Sequence, residues 1–246
     1  MRILVVNDDG IAAEGIRRLA QAAATLGEAW VVAPADQCSA MSHRITVQGQ
    51  FEVRTKQFPV EGVRAYSVSG TPADCVKTAL RCLMPGKPDV VLSGVNCGYN
   101  AGLDLLYSGT VGAAMEALSN GIPAIAFSSG MNGMYDVVDE YLLPVMRELL
   151  DKPLQANELW NVNFPGCARS ELKGILRERI PDQTQFYLDH YDVEELEDGI
   201  LRLTAGGIPI REGKEGTDIA AVLANYISIG TVRNAILAAE PRGQED

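Results

Sequence analysis

The chain has 246 residues, 47% of them hydrophobic, enough to bury a substantial core in one large or two small domains without covalent staples. Acidic residues outnumber basic ones, 32 to 21, for a formal charge of -11, so long-range attraction to a polynucleotide duplex or an anionic membrane is excluded and any anionic substrate must be drawn in locally. No apolar run approaches the roughly 20 residues that span a bilayer, no Cys-x-x-Cys pair occurs among the five cysteines, and two histidines cannot build a three-histidine zinc site.

In chain order, Arg2 to Val6 reads as a buried strand that stops at Asn7-Asp8-Asp9-Gly10. Four apolar residues are too few for a secretory signal, which points to a cytoplasmic protein. Ala12 to Leu26 has helix-forming composition with Gly27 as its stop, and Trp30 to Ala33 is a second strand ended by Pro34. This β-α-β unit favours parallel pairing through a right-handed crossover, so the first half is α/β. Ile45 to Thr55 alternates like an exposed strand. Tyr66-Ser67-Val68 leads into a helix whose start, Gly70-Thr71-Pro72-Ala73-Asp74, looks like an N-cap with Pro at the first helical position. Asp89 to Leu92 passes through a glycine-rich loop to a helix beginning near Thr110 and stopped by Asn120-Gly121. Pro123 to Phe127 is a further strand, and Tyr135 to Leu150 a helix despite Pro144. After about Lys152 the pattern changes to the strand Trp160 to Pro165 and then short strand-like pieces. The stretch from Asp182 to Asp198 holds seven acidic residues and no Lys or Arg, and reads as solvated surface. Gln244 to Asp246 is expected to fray.

In an open parallel sheet the loops after the carboxyl ends of the strands converge on one site, which directs attention to three of them. Asp8 and Asp9 are adjacent, and both can reach one point only if the chain turns, as Gly10 allows; a divalent cation would then relieve their repulsion. The alternative is a helix N-cap with a dipole-complementing acid. The loop after the second strand, residues 36–44, crowds Ser39, Ser42, His43 and Arg44 together, where Ser39 or Ser42 could ligate a metal and Arg44 could hold phosphate. His43 reads more simply as a hydrogen-bonded surface histidine. Residues 93–114 carry glycines at 94, 98, 102, 109 and 112, and Ser108-Gly109-Thr110 lies where a helix N-terminus would present free N–H groups to an anion. No Lys follows as in a Walker A loop, and a loop that merely packs is the competing account. Asp8, Asp9, Ser39 and Asn96 together could supply an all-oxygen set for Mg or Mn, and a phosphate could bridge that ion and the helix start. This pattern points to metal-assisted hydrolysis of a phosphate monoester. A haloacid-dehalogenase-like phosphatase is disfavoured, because it needs Asp-x-Asp where this chain has adjacent acids. A non-catalytic nucleotide or metal sensor is the reading from a different class.

The segments Asn7-Asp8-Asp9-Gly10, Ser69-Gly70-Thr71-Pro72-Ala73-Asp74, Ser93-Gly94-Val95-Asn96 and Tyr107 to Ala114 together resemble the SurE family of stationary-phase survival proteins. Asn161-Val162-Asn163-Phe164-Pro165 and Gly216-Thr217-Asp218 are similar to its later motifs. The resemblance implies a cytoplasmic nucleoside 5'- and 3'-monophosphate phosphatase, with some relatives also trimming short polyphosphate. It implies a three-layer α/β/α sandwich on a mainly parallel, Rossmann-like sheet, with a β-rich C-terminal extension that forms a homodimer or homotetramer. It also implies one divalent cation per subunit, held by Asp8, Asp9, Ser39 and Asn96, with catalysis assigned to Asp8, Asp9 and Asn96 and phosphate binding to Asn96, Ser108, Gly109 and Thr110; His43 and Arg44 are further candidates. Residues 1–151 are expected to form the catalytic core and residues 152–246 the remaining core strand and oligomerisation part, within one structural unit.

Overall fold

A computed structural model describes residues 1–237 of the chain; the expected fraying of Gln244 to Asp246 lies outside them. The first half runs β1 (Arg2–Val6), α1 (Glu14–Ala24), β2 (Glu28–Pro34), β3 (Val53–Lys56), β4 (Arg64–Val68), α2 (Pro72–Thr78), β5 (Val90–Cys97) and α3 (Gly109–Ser119). The second half runs β6 (Ala124–Ser129), α4 (Asp136–Leu150), β7 (Glu158–Phe164), β8 (Gly174–Arg179), β9 (Tyr187–Glu195), β10 (Leu201–Pro209), α5 (Asp218–Leu223) and β11 (Tyr226–Arg233). Nine strands form one sheet in the order β3-β4-β2-β1-β5-β6-β7-β11-β8, and among the described residues β9 pairs only with β10. The six strands from β4 to β7 are mutually parallel, with antiparallel β3 at one edge and antiparallel β11 beside β7.

Strand alternation sets the three layers. Ile3 and Val5 face one side of the sheet and pack with α1 and α4, through Ile16, Leu19, Val138, Leu142 and Met146. Leu4 and Val6 face the other side and pack with α2 and α3, through Val76, Val111, Ala114 and Leu118. At the amino ends of the parallel strands, the Trp30 ring lies under the Arg64 guanidinium at 4.6 Å and beside Tyr66. A cleft of about 670 Å³ opens on the same edge, lined by Leu118, Pro123, Leu150, Leu154 and Trp160 among others.

Several expectations need correction. Residues 45–52 form no strand: the Thr46 amide is taken by the Asp74 carboxylate, so strand pairing begins only at Val53. The second half is not a series of short pieces, because β9 and β10 make a nine-residue antiparallel ribbon. The glycine-rich loop starts late, since β5 runs through Ser93 and Asn96 to Cys97, with its pairing to β6 shifted between those two residues. Asp182 is buried instead of solvated, its carboxylate accepting from the Lys214 amide and the Thr217 hydroxyl. The helix α1 ends at its Thr25 cap, two residues before Gly27.

Candidate active site

The acidic pair sits at the carboxyl end of β1, where the chain turns at Gly10 (φ +95°). Asn7 fixes that turn by donating its side-chain amide to the Gly10 carbonyl at 2.9 Å, and its own Oδ1 is buried without a donor. The capping alternative fails: α1 begins after Ala13, which makes no side-chain cap, so neither Asp8 nor Asp9 serves that helix. Asp8 instead turns towards α3, accepting a hydrogen bond from the Thr110 hydroxyl. Asp9 turns towards the end of β5, accepting from the Cys97 amide at 2.8 Å.

Burial, reinforced by the neighbouring Asp9 charge, pushes the Asp8 carboxyl up to about 6, although the Thr110 hydroxyl and the amides of Asp8 and Thr110 oppose the rise. Burial also raises Asp9, opposed by the Cys97 amide. A buried carboxylate without a cation is costly, and no Lys or Arg pairs with either acid among the described residues.

The remaining candidates arrive through backbone contacts with this pair. Cys38 donates its amide to the Asp8 carbonyl at 2.7 Å, which brings Ser39 alongside, but the exposed Ser39 hydroxyl accepts from Gln37. Asn96 stands beside Cys97; its amide nitrogen donates to the Gly98 carbonyl at 2.8 Å, which leaves Oδ1 free to act as a neutral oxygen donor. The donor set is therefore hard oxygen throughout, and no cluster of three or more His, Cys, Asp or Glu exists among the described residues. Two carboxylates, one free amide oxygen and a hydroxyl suit Mg or Mn and no soft metal.

The start of α3 closes the site. Ser108 is its N-cap, its hydroxyl oxygen accepting from the Val111 amide at 3.0 Å, and the Gly109 amide has no acceptor among the described residues. A Cβ on Gly109 would lie 2.9 Å from the Asp8 Cβ and 3.0 Å from its Oδ2, so only glycine lets the helix end approach the carboxylate this closely. Thr110 lies in the first turn of α3, fully buried, and donates its hydroxyl hydrogen to Asp8, so it stands between the acidic pair and the helix start. His43 binds Glu116 at 2.9 Å, two helical turns beyond Gly109, which ties its loop to α3, while Thr46 is held by Asp74 of α2, and the ring stays away from the acidic pair. Arg44 is exposed, and its carbonyl accepts from Thr71.

Two supports escaped the sequence reading. Buried Ser93 donates to the Thr110 carbonyl at 2.7 Å, locking the helix start to β5. Asp74 both completes the expected Thr71 cap and holds Thr46, a double duty that its place in a capping motif conceals. The large cleft lies at the amino ends of the strands, the opposite end from these groups, and contains none of them.

Comparison with known proteins agrees on one family. Residues 3–185 match the family model described as Survival protein SurE. The chain is 43% identical over 239 residues to 5'-nucleotidase SurE 1 of Thermus thermophilus, covering 94% of this chain and 91% of that one. It is 40% identical over 241 residues to 5'-nucleotidase SurE of Carboxydothermus hydrogenoformans, covering 94% and 90%. The crystal structure of the SurE protein from Aquifex aeolicus superposes with a TM-score of 0.80 at 33% identity, over 95% of this chain and 93% of that one.

Proposed function

The chain belongs to the SurE family, and from that premise we propose that it is a divalent-cation-dependent 5'-nucleotidase that hydrolyses nucleoside monophosphates to nucleoside and phosphate. The observation that carries this reading is the abutment of Asp8 on Gly109, which puts a cation-seeking carboxylate against an anion-seeking helix end. Asp8, Asp9, Ser39 and Asn96 would hold one Mg or Mn ion per subunit, which when bound supplies Lewis acidity and lowers the pKa of water.

The protein's own groups do the rest. The Thr110 hydroxyl orients the Asp8 carboxylate. The Gly109 amide and the positive end of α3 receive the phosphoryl oxygens, with Ser108 free to donate its hydroxyl hydrogen while its oxygen caps the helix. Asn96, fixed by its bond to Gly98, offers its oxygen towards the cation or the phosphate. Arg44 adds charge at the rim, and His43 holds its loop through Glu116. Because these amides recognise the phosphoryl group and not the ribose oxygen bearing it, the reading extends to 3'-monophosphates and to the ends of short polyphosphates. Release of phosphate from a panel of such substrates, with Mg, Mn or chelator, tests it. Absence of turnover with bound nucleotide would favour a sensor.

Residues 1–151 would form the catalytic core of a cytoplasmic protein, with residues 152–246 completing the sheet and supplying the ribbon. That ribbon presents Leu203 opposite Val193 and Ala205 opposite Tyr191 on one exposed face, with Leu201 at its end. A lone two-stranded ribbon is marginal in water, so we assign this face to a second copy of the chain, as a homodimer or homotetramer.

A further inference from the structure

We infer that Asp104 and Asp218 are positioning residues for the phosphate cradle, because their carboxylates fasten the loop that delivers Ser108 and Gly109 to the root of the β9–β10 ribbon. This rests on the reading of the α3 start as the phosphate site.

The loop between β5 and α3 lies outside the main sheet and is held by two acids acting on backbone amides. Asp218, buried at the start of α5, accepts from the Gly102 amide at 3.0 Å through Oδ2 and from the Asp182 amide at 2.9 Å through Oδ1. Asp104 reaches the other way: its Oδ2 accepts from the Phe186 and Tyr187 amides at 2.9 and 3.1 Å, where β9 begins. Between these two clamps the Leu103 amide donates to the Thr184 carbonyl at 2.9 Å, and Gly102 bridges Gln185. The contact is close, since a Cβ on Gly102 would lie 2.2 Å from the Thr184 oxygen. Behind it, Tyr99 packs edge-on against Phe186 with ring centroids 5.0 Å apart.

The fastening continues into the site. The Tyr107 amide returns to the Asp104 carbonyl at 3.0 Å, closing one turn. The Leu106 and Tyr107 carbonyls then accept from the hydroxyl and amide of Ser42. Ser108 follows directly. Neither Asp104 nor Asp218 pairs with a Lys, Arg or His among the described residues, so amides alone answer their charge. One oxygen accepting two adjacent amides fixes direction as well as distance, which a surface ion pair does not.

Asp104 is only partly buried, so its variants test the clamp in a folded chain. In Asp104→Ala, below its Tm, affinity for inorganic phosphate with Mg present should fall roughly tenfold or more and KM should rise, since small misplacements of a binding group are expensive. Affinity for Mn alone should hold, because Asp8 and Asp9 are not on the loop. Amide hydrogen exchange at Ser108 to Thr110 should quicken. Asp104→Asn keeps an oxygen that can accept both amides and should recover most of the phosphate affinity. A folded Asp104→Ala protein with wild-type phosphate affinity and wild-type exchange would overturn the inference, as would Asp104→Asn proving as impaired as Asp104→Ala. If the wild type binds no phosphate, the function proposed above fails instead, and exchange at Ser108 to Thr110 alone decides the clamp.

Discussion

The carboxyl end of β1 and the β9–β10 ribbon break the same rule in opposite directions. At Asp8 the protein buries a carboxyl with no cationic partner among the described residues; on the ribbon it leaves Leu203, Val193 and Tyr191 more than half exposed. Each arrangement is costly for an isolated chain, and on the reading proposed above each would be relieved by something that binds, a cation at the first and an apolar surface at the second. The two deficits differ in range. On that same reading, the charge would act on a phosphate bound at the start of α3, whereas the ribbon would act on assembly.

The largest expected effect breaks the first of these. Asp8→Asn or Asp9→Asn should lower kcat/KM by on the order of a thousandfold, since the proposed cation would contribute several kcal/mol of transition-state stabilisation. Asn96→Ala should follow with a smaller loss. Near-normal turnover of either Asp variant at saturating Mg or Mn would remove the pair from the site. Next comes Gly109→Val, whose side chain must occupy space now filled by Asp8; phosphate affinity and turnover should drop about a hundredfold. Full phosphate affinity in a folded Gly109→Val protein would separate the helix start from the substrate.

A third prediction sharpens the electrostatic half. The folded protein binds a proton on Asp8 more tightly than the unfolded chain does, so in metal-free protein the contribution of Asp8 to stability should be fully present below the ordinary carboxylate range and be lost as pH rises through about 6. The loss is about 3 kcal/mol when complete. In metal-free protein at pH 8, Asp8→Asn should therefore raise Tm, and the gain should vanish by pH 4. A Tm difference that does not change with pH would mean the carboxyl is not destabilised by burial. The smallest catalytic effect belongs to the ribbon. Val193→Glu with Leu203→Glu should reduce the mass in light scattering to that of one chain, with kcat/KM changing less than about threefold because neither residue touches the core or the site. An unchanged mass would place the interface elsewhere.

What could be read from the chain, and what could not, divides along the same line. The core strands and their helices were legible because burial on both faces leaves continuous runs such as residues 3–6, and because Thr71-Pro72-Ala73-Asp74 states its cap in its own residues. Asp8 and Asp9 were legible as an anomaly, two like charges where the chain leaves a buried strand. Thr110 was not, because a threonine in a helix's first turn looks the same whether its hydroxyl meets a ligand or a buried carboxylate. His43 was ambiguous for the same reason until Glu116, 73 residues away, supplied the partner. The ribbon was misread as fragments because exposed strands without a core face lack a burial pattern, and residues 45–52 were misread as a strand because their alternation meets no partner strand, the Thr46 amide and hydroxyl being held by Asp74 instead.

The placement of the two tryptophans has a spectroscopic consequence. Trp30 sits under Arg64, level with Leu4 of β1, and Trp160 lines the cleft, level with Ile125 of β6, so both lie nearer the amino ends of the strands than does Asp8, which follows the carboxyl end of β1. Indole fluorescence excited at long wavelength therefore surveys the back of the molecule, and will follow unfolding while staying silent to direct quenching by an ion at the carboxylates. Any emission change on adding Mg or Mn would then be a signal carried through the sheet itself, a built-in optical gauge of how rigidly its two edges are joined.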